Sequence, residues 1–280
     1  MSAAELEAPR ALRRPGDTDA VTYSWADLDA GLYGMARVAA GVGADGSTSS
    51  SALAVAFAGR ETLGALAESP AQGLATSTET PLERWMVRGT GELEFSLVFE
   101  SVSGPVAYGG RAGIVKAGGM EGYEQLCRVS GTVAGRPLRA GLGQRGHSWG
   151  NPDWDRIALT RSVGAWFDDG TGIALALVRG VKASSHADEA AWGASFSPER
   201  SFEVDEVRLS TTTDEASRQI RAGLELWLER DADHPYRGAG EALTGSTLEL
   251  GALRLDVAFF RWHIEGRMGV GRYDVIRRAA

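Results

Sequence analysis

The clearest pattern in the chain runs from Glu92 to Glu100, where Leu93, Phe95, Leu97 and Phe99 fall on one side and Glu92, Glu94, Ser96 and Glu100 on the other. A period of two belongs to an extended strand with one dry and one wet face. Shorter segments from Leu32 to Ala40, Ala52 to Ala58, Leu82 to Val87, Tyr123 to Val133 and Phe202 to Ser210 also predict strands. The stretch G-V-G-A-D-G-S-T-S-S-S between the first two carries little side-chain volume and predicts a long hairpin tip. Val163 to Phe167 and Ile173 to Val178 flank D-D-G-T-G, which predicts a hairpin. The apolar run I-A-L-A-L-V implies cover on both faces, or one face of small alanines, Ala174 and Ala176, with room beside it. Gln219 to Leu228 matches a helical face at four positions and strict alternation at five, so strand is the better fit.

From Leu253 one strand register places Leu253, Leu255, Val257 and Phe259 on a face that continues with Arg261, His263 and Glu265, leaving Phe260, Trp262 and Ile264 opposite. In that register an apolar inner face ends in three titratable groups, which makes His263 and Glu265 candidate substrate contacts. A bulge near Phe260 exchanges the faces and exposes them instead.

The first twenty residues hold two prolines, small residues and charges without an apolar face, and predict a disordered lead-in. The segment G-R-P-L-R-A-G-L-G after Ala134 reads as a crossing between two halves, one lobe over 21–137 and another over 138–280. A chain of 280 residues can bury a core in each. Glycine at 37 positions is nearly twice the average share of about 7%, which suits many tight turns and an all-β class.

The net charge of −8 argues against nucleic acid as a partner, because tracking phosphates takes a basic face. Arg10, Arg13 and Arg14 sit among Glu5, Glu7 and Asp17 and read as a solvated tail. The single cysteine, Cys127, cannot form an intrachain disulfide, and its neighbours Leu126 and Val129 predict a buried thiol without an activating partner. No apolar run approaches the roughly 20 residues of a membrane-spanning helix, and the start lacks the basic-then-apolar order of a signal peptide. A cytoplasmic protein is expected, with transient membrane-surface contact open to a catalyst that draws greasy substrates.

Candidate chemistry concentrates in Gly141 to Arg156, G-L-G-Q-R-G-H-S-W-G-N-P-D-W-D-R, with four glycines, one of four histidines and two of eight tryptophans. His147 and Trp149 are two apart and share a face on an extended segment. An imidazole in an apolar cavity can give and take protons near working pH, and an indole face can stabilise a developing carbocation. The same pair can also be core groups that hold a loop. Asp153 and Asp155 share the face opposite Trp154, so one of them could assist His147 or pair with a nearby arginine at the surface. Trp154 and Trp166 are candidate pocket walls. Gln125 and Arg145 are candidate hydrogen-bond donors to a ligand carbonyl, or strand ties. His147, His186, His234 and His263 are far apart and lack metal-ligand spacing, so no metal is expected. G-x-G at 141–143 lacks the helix and lysine of a phosphate loop, and no Gly-x-Ser-x-Gly elbow occurs.

H-S-W-G followed by W-D-R, with Y-E-Q-L-C-R-V-S-G-T-V at 123–133 and G-R-M-G-V-G-R-Y-D at 266–274, resembles the AttH-like, hydroxyneurosporene-synthase-type family of carotenoid 1,2-hydratases and relatives. The resemblance implies two lipocalin-like antiparallel β-barrel or sandwich lobes around a greasy ligand, with the H-x-W pair in the reactive site. It also implies kinship with tocopherol-cyclase-like and lipocalin-like Diels–Alderase enzymes. The family's hydratases carry a tyrosine and an aspartate downstream of H-x-W. Here Trp166 and Asp168 are nearest, and Asp168 belongs to a turn, which shifts the expectation from hydration toward cyclisation or isomerisation. The expected protein is a cofactor-independent acid/base enzyme acting on a hydrophobic polyene. Its rivals are a lipid carrier without catalysis and a carbohydrate binder with tryptophans on a flat exposed face.

Overall fold

The computed structural model describes residues 3–108, 113–185, 188–229 and 233–279; His186 and most of the glycine-rich piece at 109–113 lie outside them. The chain divides into two compact units, Met1–Pro105 with Met120–Pro152, and Val106–Gly119 with Asp153–Ala280.

In the first unit the short helix α1 (Ala3–Glu7) precedes β1 (Thr18–Asp27), β2 (Leu32–Val42), β3 (Thr48–Ala58), β4 (Glu61–Glu68), β5 (Leu74–Thr80), β6 (Arg84–Gly89) and β7 (Phe95–Ser101). After β8 (Val106–Ala107) and α2 (Ile114–Gly118), both in the second unit, β9 (Met120–Val133) and β10 (Arg136–Gly150) complete the first. These strands form an antiparallel sheet in the order β4-β3-β2-β1-β10-β9-β7-β6-β5. One face of it closes around Tyr23, Trp25, Trp85, Val87, Phe95, Phe99 and Val129.

The second unit repeats the plan with β11 (Ile157–Trp166), β12 (Gly172–Gly180), β13 (Ala190–Phe196), β14 (Phe202–Glu203), β15 (Glu206–Thr213), β16 (Gln219–Trp227), β17 (Tyr236–Leu250), β18 (Leu253–Ile264) and β19 (Arg267–Arg278). Its sheet order is β14-β13-β12-β11-β19-β18-β17-β16-β15. Two lobes, each one curled antiparallel sheet, agree with the expected all-β class.

Three expectations are corrected. The boundary at 137/138 fails because 135–143 is not a crossing. Ala134 and Gly135 take positive φ angles of 47° and 72°, which reverses the chain into a β9–β10 hairpin, so the H-S-W-G strand ends the first unit. The hairpin tip at 41–51 is short, because β2 runs to Val42 and β3 begins at Thr48: backbone pairing continues through small residues as well as large ones. The lead-in is ordered from residue 3. Asp17 Oδ2 accepts the Arg13 and Arg14 amides at 2.9 Å each, and Asn151 Nδ2 donates to Pro15 O and Asp17 Oδ1, also at 2.9 Å. These local bonds to a carboxylate hold Asp17 down to about 2, led by the Arg13 amide.

Candidate functional site

β10 lies between β1 and β9, and their registers stack side chains in rows across the inner face of the first unit. Trp25, Gly143 and Cys127 form one row, followed by Tyr23, Arg145 and Gln125, then Val21, His147 and Tyr123, then Asp19, Trp149 and Glu121. The apolar core therefore gives way, row by row, to polar groups. Gly143 has to be glycine: a Cβ there would lie 2.4 Å from Ser24 O and 2.6 Å from Val129 Cγ2.

His147 and Trp149 do share a face, with ring centroids 5.0 Å apart in an edge arrangement. His147 is buried; its Nδ1 lies 3.0 Å from Leu6 O and its Nε2 2.7 Å from Asp19 Oδ1. Burial is the largest influence on Asp19 and raises its affinity for a proton. The hydrogen bonds from His147 and from the Arg10 amide outweigh it and hold the carboxyl below its usual range. A carbonyl oxygen and an ionised carboxylate both only accept, so the two contacts are satisfied together when both ring nitrogens carry hydrogen. Trp149 is partly exposed, donates to Glu121 Oε2 at 3.2 Å and lies under the Arg10 guanidinium, whose carbon stands 3.9 Å from the ring centroid.

Arg145 is buried one row deeper, 4.8 Å from the Trp85 ring and 5.3 Å from that of Tyr123. It donates to the Tyr123 hydroxyl and, through Nη2 at 2.6 Å, to Glu7 Oε2. Burial pushes the Tyr123 hydroxyl up to about 12, so it stays neutral. Glu7 Oε1 accepts from Leu82 N at 3.1 Å and from Trp85 Nε1 at 3.0 Å. Gln125 is buried as well, with Nε2 donating to Leu82 O at 2.9 Å and to Ser101 Oγ and Ser103 O at 2.7 Å. It is a strand tie.

The other sequence candidates lie in the second unit. Asp153 and Asp155 are exposed in the turn before β11: Asp153 Oδ1 accepts the Asp155 amide at 3.0 Å, and Asp155 pairs with Arg278. Neither is the carboxylate that holds His147. That group is Asp19 of β1, which falls within the first twenty residues expected to be a disordered lead-in. Trp154 is partly buried in the same turn, and Trp166 is fully buried at the end of β11. Asp168 is an exposed turn residue. His263 and Glu265 are exposed, which corrects their assignment to the inner face. The register along β18 is unbroken against β19, but the core face is the one carrying Ala258, Phe260, Trp262 and Ile264. Glu265 instead accepts the Arg237 amide at 2.6 Å in the hairpin turn.

Ala174 and Ala176 likewise lie opposite the core face, which Ile173, Leu175 and Leu177 supply. A cleft of about 870 Å³ does occur in the second unit, lined by Leu177, Glu189, Val204, Val207, Leu209 and Leu224 among others, but it contains no histidine. Five of the eight tryptophans are buried and the other three, Trp149, Trp154 and Trp227, are only partly exposed, which disfavours a flat carbohydrate-binding surface. Burial pushes the Cys127 thiol up to about 12. Among the described residues, no group of three or more His, Cys, Asp or Glu side chains could hold a metal ion. No helix among them is long and apolar enough to cross a membrane.

Solved structures with this architecture include a protein assigned as AttH from Nitrosomonas europaea, at 14% identity and TM-score 0.63 over 96% of this chain and 98% of that one. CghA aligns at 10% identity and TM-score 0.64 over 97% and 94%, and has also been solved with Sch210972. Kievitone hydratase from Nectria haematococca aligns at 9% identity and TM-score 0.62 over 95% and 91%. The fold is thus the two-lobed, lipocalin-like one that the H-S-W-G resemblance implied. Residues 4–278 match the domain of unknown function DUF7064, and the chain belongs to that family. No curated protein matches the sequence.

Proposed function

We propose that the chain is an enzyme that carries out acid/base chemistry on a large hydrophobic polyene, isoprenoid or polyketide-derived, at the inner face of the first unit. The observation that carries this reading is the Arg10 guanidinium 3.9 Å above the Trp149 ring, beside an imidazole held by an ionised aspartate. A cation already sits where a substrate carbocation would be stabilised, by about 0.5–1 kcal/mol at a partly exposed ring and more once a ligand covers it. His147 moves the proton, Asp19 orients the imidazole, and Trp149 faces the charge.

Cyclisation or isomerisation adds a proton at one carbon and removes it at another, so the atoms balance without a cofactor. Hydration or dehydration adds or releases water and uses the same groups. A hydratase by name among proteins of this fold supports keeping it in the set. The second-unit cleft is less suited to this chemistry because no imidazole lines it. The proposal places the reaction in the cytoplasm, with brief contact at a membrane surface to collect substrate, and gives it no nucleic-acid partner.

Incubating the purified protein with a panel of apolar polyenes, and following products by chromatography and mass, tests the reading. Isomers of unchanged mass, or products shifted by one water, support it. Tight binding with no conversion across the panel contradicts it and favours a carrier.

A further inference from the structure

Three donors converge on a single carboxylate in the first unit: the Leu82 amide and the Trp85 indole N–H on one oxygen of Glu7, and the Arg145 guanidinium on the other. Two of its walls are held by contacts that do not involve Glu7. Leu82 holds a left-handed φ of 61°, uncommon for a leucine, and Gln125 fixes its carbonyl from inside the sheet. Arg145 lies among the Tyr23, Trp85 and Tyr123 rings with only 2% of its side chain exposed. Its Nε has no hydrogen-bond partner among the described residues. A cation this deep in aromatic surroundings requires an anion.

The group that supplies the anion is weakly held by its own element. α1 has five residues, of which only the Glu7 side chain is well covered, at 7% exposure, and a helix that short has little stability of its own. Yet the segment from Leu6 to Arg10 meets Arg145, His147, Asp19 and Trp149. Its carboxylate fills the cradle, the Leu6 carbonyl meets His147, and the Arg10 side chain covers Trp149. Each contact is one that a substrate could make in its place.

We infer that the Leu82–Trp85–Arg145 cradle binds a carboxylate carried by the apolar ligand, and that Glu7 occupies it as an internal stand-in which the ligand displaces. This inference rests on the proposed function and names the acidic end of its substrate. The anchor fixes one end of a long chain two rows below Trp149, which sets which carbon reaches His147.

The test uses the fluorescent tetraene cis-parinaric acid and its methyl ester, titrated against the full chain and its Glu7→Ala variant. Emptying the cradle should tighten the acid about tenfold or more relative to the ester, a change of roughly one decade in the affinity ratio. Adding Arg145→Met to that variant should return the ratio to about one. If Glu7→Ala fails to fold, Glu7→Gln, which keeps the side-chain shape and removes only the charge opposite Arg145, should shift the ratio in the same direction by a smaller factor. In the unmodified protein, hydrogen exchange at residues 3–10 should quicken with the acid and not with the ester. Equal affinity for acid and ester in the emptied cradle, or unchanged exchange at residues 3–10 with bound acid, would overturn the inference and leave the polyene reading standing. Binding of neither compound to any variant would overturn both.

Discussion

Asp19 and His147 reach each other from adjacent strands one diagonal step apart: Asp19 pairs with Trp149 in the ladder, while its Oδ1 lies 2.7 Å from His147 Nε2. The carboxyl's proton affinity is lowered by folding, so the bond stabilises the protein above the ordinary carboxylate range, near pH 4, and is lost as pH falls through the lowered folded value. Acid unfolding of the wild type should therefore steepen below about pH 4. Asp19→Asn should flatten that part of the curve, as followed by denaturant midpoints between neutral and acid pH. Identical curves would remove Asp19 from the account.

Gln125 Nε2 shares its two N–H groups among Leu82 O, Ser101 Oγ and Ser103 O. Gln125→Leu removes the donor to the partly buried Leu82 carbonyl, while Ser103 O keeps the Ser101 hydroxyl, and should cost about 1 kcal/mol of stability, read from urea unfolding. It should also weaken parinaric acid more than its ester in the Glu7→Ala background, because the Leu82 amide loses its brace. Loss of affinity for both compounds alike would make Gln125 a strand tie and nothing more.

At Gly143 the sheet leaves no room for a methyl group between Ser24 O and the Val129 side chain. Gly143→Ala should destabilise the fold by about 1–3 kcal/mol through overpacking. Thermal unfolding checks this. An unchanged midpoint would mean that the β1–β10 spacing is looser than these contacts imply.

Cys127 is fully buried in the row below Arg145, and burial holds its thiol as the neutral form. A disulfide-exchange reagent at pH 8 should leave it unmodified in the folded protein and label it fully in denaturant. Rapid labelling of the native state would show that this row opens to solvent.

The fold was legible because alternation and glycine-marked turns act locally. The D-D-G-T-G hairpin formed as the pattern predicted, and the Glu92–Glu100 strand formed from Phe95 onward, its first three residues belonging to the preceding turn. The site was half legible. The period of two put His147 and Trp149 on one face without further help, yet the H-S-W-G and W-D-R halves of the motif part at Pro152 into separate units. Adjacency along the chain suggested Asp153 and Asp155 as the acid, whereas the carboxylates that matter come from 128 and 138 residues away. Glu7 and Asp19 carried no local signal, since the lead-in docks through carboxylates and carbonyls and leaves no apolar stripe to read. On β18 the register was legible but the inward face was not, because Leu255, Val257 and Phe259 are buried as fully as Ala258 and Phe260.

The most direct test of the account is to measure binding and turnover separately for His147→Ala, using a polyene that the wild type converts. The account predicts affinity within a few-fold of wild type and turnover lower by about 100-fold or more, the usual contribution of a positioned general acid/base. Turnover that survives the loss of the imidazole, with binding intact, would contradict it.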